Sequence, residues 1–137
     1  MTSELENNFI IEISDLSSTI ESNYPSVRLE KVEELKQLDP SLGILLKLVK
    51  IFQNEVSYRI PEMKNFCQCQ DYENLSRHIH RFKSTTYNLG ASRSAEYAKQ
   101  IENAIERSAS QLEVKQLINR LETECLKASE RLLTFLK

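Results

Sequence analysis

The sequence contains two histidines, His78 and His80, and both lie in residues 77–83, which read RHIHRFK. An imidazole nitrogen is a nucleophile near neutral pH and also a common metal ligand. The run carries three full positive charges and no acidic residue, which suits an anionic partner. Two chemistries are therefore open to this segment: nucleophilic attack on an anionic group, or metal binding.

If the segment is helical, the two imidazoles point in different directions. With about 100° per residue, the apolar stripe of the helix lies about 130° from His80 and about 70° from His78. His80 should therefore face away from the core, and His78 should lie at its edge. The helical neighbours expected within about 60° of His80 are Ser76, Arg77, Lys83, Ser84 and Tyr87. The two serines are small and leave room for a partner to approach His80.

A zinc site is one alternative, because Cys67, Cys69, His78 and His80 carry suitable donor atoms. Their spacing argues against it. Residues two apart on a helix point about 200° apart and cannot chelate one ion. We therefore expect no metal site, unless the backbone is extended here.

The composition favours a helical protein of one domain. The 137 residues include two glycines and three prolines, far fewer than the ~12% usual for these two residues that build the turns of sheets. With only Gly43 and Gly90, no glycine-rich nucleotide-binding loop can be formed. A net charge of −2 gives no domain-wide basic field for nucleic acid. We found no catalytic constellation typical of an independent hydrolase or nuclease.

The chain has no apolar run near the ~18 residues of a membrane span, and its first residues, MTSELENN, are polar and acidic. We therefore expect no membrane segment and no signal peptide. The cysteine count is odd, and Cys67 and Cys69 are too close to form a useful disulfide. This predicts a reduced, cytoplasmic protein.

Apolar residues repeat every three or four positions along nearly the whole chain, which predicts helices. A capping box at residues 3–6 begins a predicted helix over about residues 4–21. This helix lies in an N-terminal extension, residues 1–26, that ends near Pro25. The stripe expected to pack on the bundle or on a second chain is Leu5, Phe9, Ile13, Leu16 and Ile20.

A short helix and a long one follow. The short helix is expected to turn inward Leu29, Val32, Leu35 and Leu38. Asp39 is expected to cap the long helix, and Pro40 to occupy its first position. The long helix carries a stripe from Leu42 to Cys67 and is expected to bend near Pro61, which lacks a backbone donor.

Asp71 and Gly90 bracket the helix that carries both histidines, because aspartate favours the start of a helix and glycine its end. Stripes in residues 91–105 and 114–135 predict two further helices, separated by a second capping box. Helices joined by short connections pack antiparallel. The predicted fold is therefore an all-α, antiparallel up-down four-helix bundle in residues 27–137, with an additional N-terminal helical segment.

Residues 80–91 read HRFKSTTYNLGA. This segment resembles the signature of histidine phosphotransfer (HPt) domains, His-x-x-Lys-Gly-Ser-x-x-x-Leu-Gly followed by a small or apolar residue. The matching residues are His80, Lys83 and the pair Leu89 and Gly90. The resemblance covers about residues 27–137 and implies a four-helix bundle, often with an extra N-terminal helix.

The resemblance also implies a function. Such a domain accepts a phosphoryl group from the aspartate of a response-regulator receiver domain and passes it to another receiver, in a phosphorelay that begins at a hybrid histidine kinase. His80 would be the phosphoacceptor, and Lys83 would neutralise the phosphoryl oxygens. Gly90 would permit close packing beside the histidine. The receiver would supply the carboxylates and Mg²⁺, so the chain would need no cofactor of its own.

The receiver would dock on the face of His80, by way of Arg77, Arg81, Ser84, Tyr87 and Gly90. We expect the chain to act as a monomer or a weak dimer. An alternative is a non-catalytic helical adaptor that binds a kinase or a receiver without carrying phosphate.

Four positions depart from the family pattern. Ser84 replaces the glycine that usually follows the lysine, and Thr85 and Thr86 replace smaller residues. We expect docking to persist, with altered partner choice. Where the family often has glutamine, 22 residues after the histidine, this chain has Glu102, to which the sequence assigns no role. Its carboxylate would favour the imidazolium or repel phosphate if it approached His80.

Overall fold

The computed structural model describes residues 14–137, and the secondary structure in this range is helical. Helix α1 occupies residues 14–23 of the described range. The remaining helices are α2 (Leu29–Leu38), α3 (Gly43–Gln68), α4 (Tyr72–Leu89), α5 (Ser92–Glu106) and α6 (Gln111–Thr134).

Helices α3 to α6 form the predicted antiparallel bundle. Helix α4 packs against α3 and α5, and α6 closes the ring by packing against α5 and α3. Short turns join them, so neighbours along the chain are neighbours in space. Within the core, the rings of Phe52 and Phe82 stack with their centroids 6.3 Å apart. The apolar stripes of neighbouring helices thus pack against one another in the core of the bundle. The prediction of an all-α fold is confirmed.

Helix α2 contacts α3 and buries only its middle turn. Val32 and Leu35 are buried, whereas Leu29 is 50% exposed and Leu38 is 73% exposed. The prediction that all four leucine and valine side chains of this helix face inward was therefore wrong. The two ends of this ten-residue helix extend beyond its contact with α3, which leaves Leu29 and Leu38 exposed.

The start of α3 also differs from the prediction. The helix begins at Gly43, and Pro40 lies in the turn before it. The Asp39 carboxylate accepts hydrogen bonds from the backbone N–H groups of Ser41 and Ile44, each at 3.1 Å. Asp39 thus satisfies an N–H of the first turn of α3 across this extra turn. Helix α3 then runs through Pro61 without interruption, and a bend there stays a prediction.

Helix α1 is attached to the bundle through α5. The Tyr97 hydroxyl donates a hydrogen bond to the Ser17 hydroxyl at 3.0 Å, and this contact is buried. The Arg93 guanidinium donates to the backbone carbonyls of Glu21, at 3.1 Å, and Tyr24, at 2.6 Å. Carbonyls at a helix C-terminus lack partners within the helix, so Arg93 satisfies groups that would otherwise need water.

The sequence predicts an N-terminal helix over about residues 4–21, and the described part of that range is helical as far as residue 23. Ile20 is buried, and Leu16 packs partly buried against the core. The predicted contacts of Leu5, Phe9 and Ile13 lie outside the described residues. The domain boundary after residue 26 stays a prediction.

The three cysteines differ in environment. Cys67 and Cys125 are buried, Cys69 is exposed, and all three are free thiols. Burial raises the pKa of Cys125 to about 12 and also raises the pKa of Cys67. In residues 14–137, no helix combines the length and the apolar character needed to cross a bilayer.

Candidate functional site

The position of His80 follows from the way α4 is built. Asp71 caps the helix, since its carboxylate accepts from the backbone N–H of Asn74 at 3.3 Å. The buried side of α4 consists of Leu75, Ile79, Phe82, Thr86 and Leu89. Because this stripe faces the bundle core, the helix turns His80 to the solvent, and its side chain is 71% exposed. The predicted orientation of His80 is confirmed.

His80 shares a carboxylate with Lys83. Nδ1 of His80 lies 3.6 Å from Oε2 of Glu102, and Nζ of Lys83 lies 2.6 Å from Oε1 of the same residue. The first distance is too long for a hydrogen bond, and the second is that of a charge-assisted hydrogen bond. We call His80, Lys83 and Glu102 the His80 cluster; it joins α4 to α5. Within the described residues, Nε2 of His80 is the ring nitrogen without a protein partner.

The other predicted docking residues lie on the same helix with different pairings. Arg77 binds Glu73 one turn earlier, at 2.7 Å. Arg81 is exposed and forms no ion pair within the described part of the chain. Ser84 and Tyr87 are also exposed. Residues 77–83 carry three positive charges. Two of them are paired with carboxylates, so Arg81 alone can bind a partner without breaking an ion pair described here.

A groove of about 780 Å³ opens beside the His80 cluster. Its walls are the C-terminal half of α4, the start of α5 and residues 23–30. Lys83, Ser84 and Tyr87 line the α4 wall, and Tyr24 and Pro25 line the wall opposite. Lys83 thus belongs both to the cluster and to the groove, so a molecule seated in the groove would contact the ammonium beside His80.

A family model described as Hpt domain matches residues 47–131, which is more than half of the chain. The chain belongs to the Hpt domain family. The match runs from α3 into α6 and contains the His80 cluster. No curated protein matches the sequence. Hpt domains act in phosphotransfer and interact with receiver domains and kinases.

Gly90 of this Hpt domain ends α4 at the point where α2 and the segment before it pack against that helix. It is buried at the end of α4 with a left-handed φ of +80°, and its open side faces Lys31 of α2. Its carbonyl accepts a hydrogen bond from the N–H of Arg28 at 2.8 Å. Gly90 therefore makes room for the segment before α2 and for α2 itself. Gly90 lies ten residues along α4 from His80, roughly 15 Å, and its role in close packing beside the histidine stays a prediction.

His78 lies at the edge of the core, as predicted. Its ring is 5.0 Å from the Phe66 ring, and its Nδ1 is 3.2 Å from Nη1 of Arg59. Burial lowers the pKa of His78, and the positive charge of Arg59 lowers it further. The ring of His78 is thus engaged on the α3 side of α4, away from the exposed face that carries His80.

The sequence identified Glu102 as a departure from the family but gave it no partner. The missing information was the pairing of α4 with α5, which brings a residue 22 positions away next to both His80 and Lys83. The wall of the groove formed by residues 23–30 was likewise not predicted. In the described residues, no group of three or more histidine, cysteine, aspartate or glutamate side chains is placed to hold a metal ion.

Proposed function

We propose that this Hpt domain is the phosphotransfer intermediate of a phosphorelay, in which His80 accepts a phosphoryl group from a receiver aspartate and passes it to a second receiver. The observation that carries the proposal is the exposed His80 imidazole, with Lys83 one turn later on the same face of α4. Family membership supports the reaction class.

The chemistry requires little of this chain. The lone pair on Nε2 of His80 attacks the phosphorus of the aspartyl phosphate, so an N–P bond forms as the P–O bond to aspartate breaks. Aspartate leaves as a carboxylate, and the imidazole ring takes the positive charge. The receiver would supply the carboxylates and the Mg²⁺ that neutralise charge from the other side. Lys83 neutralises the phosphoryl oxygens from this side, and positioning does the rest.

Docking would use the surface around His80. Arg81 offers a free positive charge to the acidic pocket of a receiver, and Arg77 offers one that is shared with Glu73. Ser84 and Tyr87 line the groove next to the cluster, so a receiver that covers His80 would also contact them. Complementary charge of this kind speeds encounter more than it raises affinity. The same surface would receive the receiver domain of a hybrid kinase.

A non-catalytic adaptor remains the second candidate function, because Lys83 is already bound to Glu102. In that case the groove and the exposed face of α4 would bind a receiver or a kinase without phosphate transfer. Transfer assays separate the two functions directly.

The decisive experiment incubates the protein with a panel of phosphorylated receivers and follows the label. We expect label on wild type, stable in base and labile in acid as phosphohistidine is. His80→Gln should abolish labelling and keep the helical circular dichroism signal, because this side chain lies outside the core. His78→Gln is the matched control and should still be labelled. Label on the His80 variant would refute the site, and no label on wild type from any receiver of its own genome would favour the adaptor.

A further inference from the structure

Glu102 places a carboxylate beside the proposed phosphoacceptor, and a carboxylate repels a phosphoryl group. It lies between the two side chains that the reaction needs, 3.6 Å from Nδ1 of His80 and 2.6 Å from Nζ of Lys83. Its side chain is 23% exposed and that of Lys83 is 35% exposed, so the pair is partly shielded from water. Partly shielded pairs of good geometry are stronger than pairs on the open surface.

We infer that Glu102 is a positioning residue that binds the Lys83 ammonium while His80 is free and competes with the phosphoryl group for it once His80 is phosphorylated. The inference rests on the proposed function of His80. Its consequence is that the domain retains phosphate poorly and passes it on readily.

The competition follows from charge. Phosphorylation of Nε2 places a dianionic phosphoryl group on a ring that becomes positive, beside a carboxylate already present. Lys83 can strengthen its contact with the phosphoryl oxygens only by weakening its contact with Oε1 of Glu102. The gain from Lys83 is then the difference between two ion pairs rather than one whole pair. The attraction between Glu102 and the positive ring offsets part of this cost.

The orientation of the ring fits the same role. Nδ1 of His80 faces Glu102, and Nε2 is the ring nitrogen left open to a phosphoryl donor. Glu102 thus leaves Nε2 accessible while it lowers the yield of the phosphorylated form. A neutral glutamine at this position would keep an oxygen facing Nδ1 and remove the competition for Lys83.

The test uses potassium phosphoramidate, which phosphorylates an imidazole without a receiver. The fraction of phosphohistidine is measured by ³¹P NMR at a fixed ratio of phosphoramidate to ammonia. Glu102→Gln should raise the equilibrium ratio of phosphorylated to free His80 about fivefold, because a like charge near the phosphoryl group is removed. Glu106→Gln, one turn further along α5 and exposed, is the matched control and should change the ratio less than twofold.

A double-mutant cycle distinguishes competition from a merely structural effect. Lys83→Ala should lower the ratio more in the Glu102→Gln background than in wild type, because only there does Lys83 contribute its whole contact. Glu102→Ala serves as a second variant without the charge. An unchanged or lower ratio in both Glu102 variants, or equal effects of Lys83→Ala in the two backgrounds, would overturn the inference, as would a wild type that takes no phosphate from phosphoramidate.

The two proposals fail in different ways. A protein that shows the expected ratios with phosphoramidate but accepts nothing from receivers supports the role of Glu102 and refutes the relay function. Transfer from receivers with no difference between wild type and the Glu102 variants supports the relay and refutes the role of Glu102.

Discussion

Lys83, Arg77 and Arg81 are three cations in one segment of α4, yet they are not equivalent. Lys83 is bound to Glu102 and Arg77 to Glu73, whereas Arg81 has no carboxylate partner in residues 14–137. The sequence alone counts three full charges, because Glu102 lies on another helix. The positive electrostatic field at this surface is therefore weaker than the run RHIHRFK suggests. The charge without a carboxylate partner is that of Arg81.

Replacing Lys83 with alanine should slow phosphotransfer about tenfold, because one charge-assisted contact to the phosphoryl group is lost. The bundle should stay folded, since Lys83 is not on the buried stripe of α4. A quenched time course of transfer from a phosphorylated receiver gives the phosphotransfer rate, and circular dichroism gives the helical content. Lys50→Ala, on the exposed face of α3, is the control. Equal rates for the two variants would remove the role of Lys83.

His78 should make stability depend on pH. Burial, and then Arg59, lower its pKa in the folded state below the ~6.5 of an unfolded chain. The unfolded state then binds more protons, so the free energy of unfolding falls as the pH drops below ~6.5 and stops falling below the folded pKa. Urea unfolding at pH 7.5 and pH 5.0 should show a larger loss for wild type than for His78→Gln. Equal losses would contradict the assignment.

At the scale of the helices, α4 was predictable because both of its ends are local. Asp71 and Gly90 each act on residues within one turn, so their types alone mark the helix. The junction of α2 and α3 was not predictable in the same way. Asp39 caps α3 across a turn, and the residue types do not determine the length of that turn. The inward side of α2 was predicted only in part, because burial there depends on how much of the helix its neighbour covers.

Gly90→Ala should destabilise the fold by about 2 kcal/mol. A residue other than glycine pays ~1–2 kcal/mol for a left-handed φ. In addition, a Cβ here would lie 2.9 Å from Cβ of Lys31, an atom close to the backbone of α2. Gly43→Ala is the matched control, since its new Cβ would meet the ends of two flexible side chains, those of Asp39 and Ser41, and no backbone. Chemical unfolding should show the control losing less than half as much, and similar losses would contradict the argument.

For the whole molecule, the bundle was predictable and the site only in part. Stripes of apolar residues at helical spacing carry the fold class, because each stripe is a property of one segment. The exposure of His80 follows from the same arithmetic. The same arithmetic does not predict the contact of Glu102 with His80 or the groove beside residues 23–30. Each depends on how separate helices pack against one another.

The electrostatic part of receiver docking should be small and concentrated at Arg81. At low ionic strength, Arg81→Ala should slow transfer about threefold, and Arg77→Ala should slow it less than half as much, because its charge is already shared with Glu73. Both differences should nearly vanish at 0.5 M NaCl, where screening acts over a few ångströms. Transfer rates at two salt concentrations check this, and equal effects of the two variants would contradict it.

Cys69 is exposed, whereas Cys67 and Cys125 are buried. We therefore expect thiol reagents to label the folded protein at Cys69 alone. A maleimide dye should attach at the turn between α3 and α4 and nowhere else, so a fluorescence-anisotropy assay for receiver capture needs no engineered cysteine. With Ellman's reagent, one thiol should react within minutes in buffer and three in 8 M urea, and Cys69→Ser should lose the fast one. Two or more fast thiols in buffer would contradict the packing described for α3 and α6. In the intact protein, the slow reaction rate of Cys67 and Cys125 would report the rate at which the bundle opens.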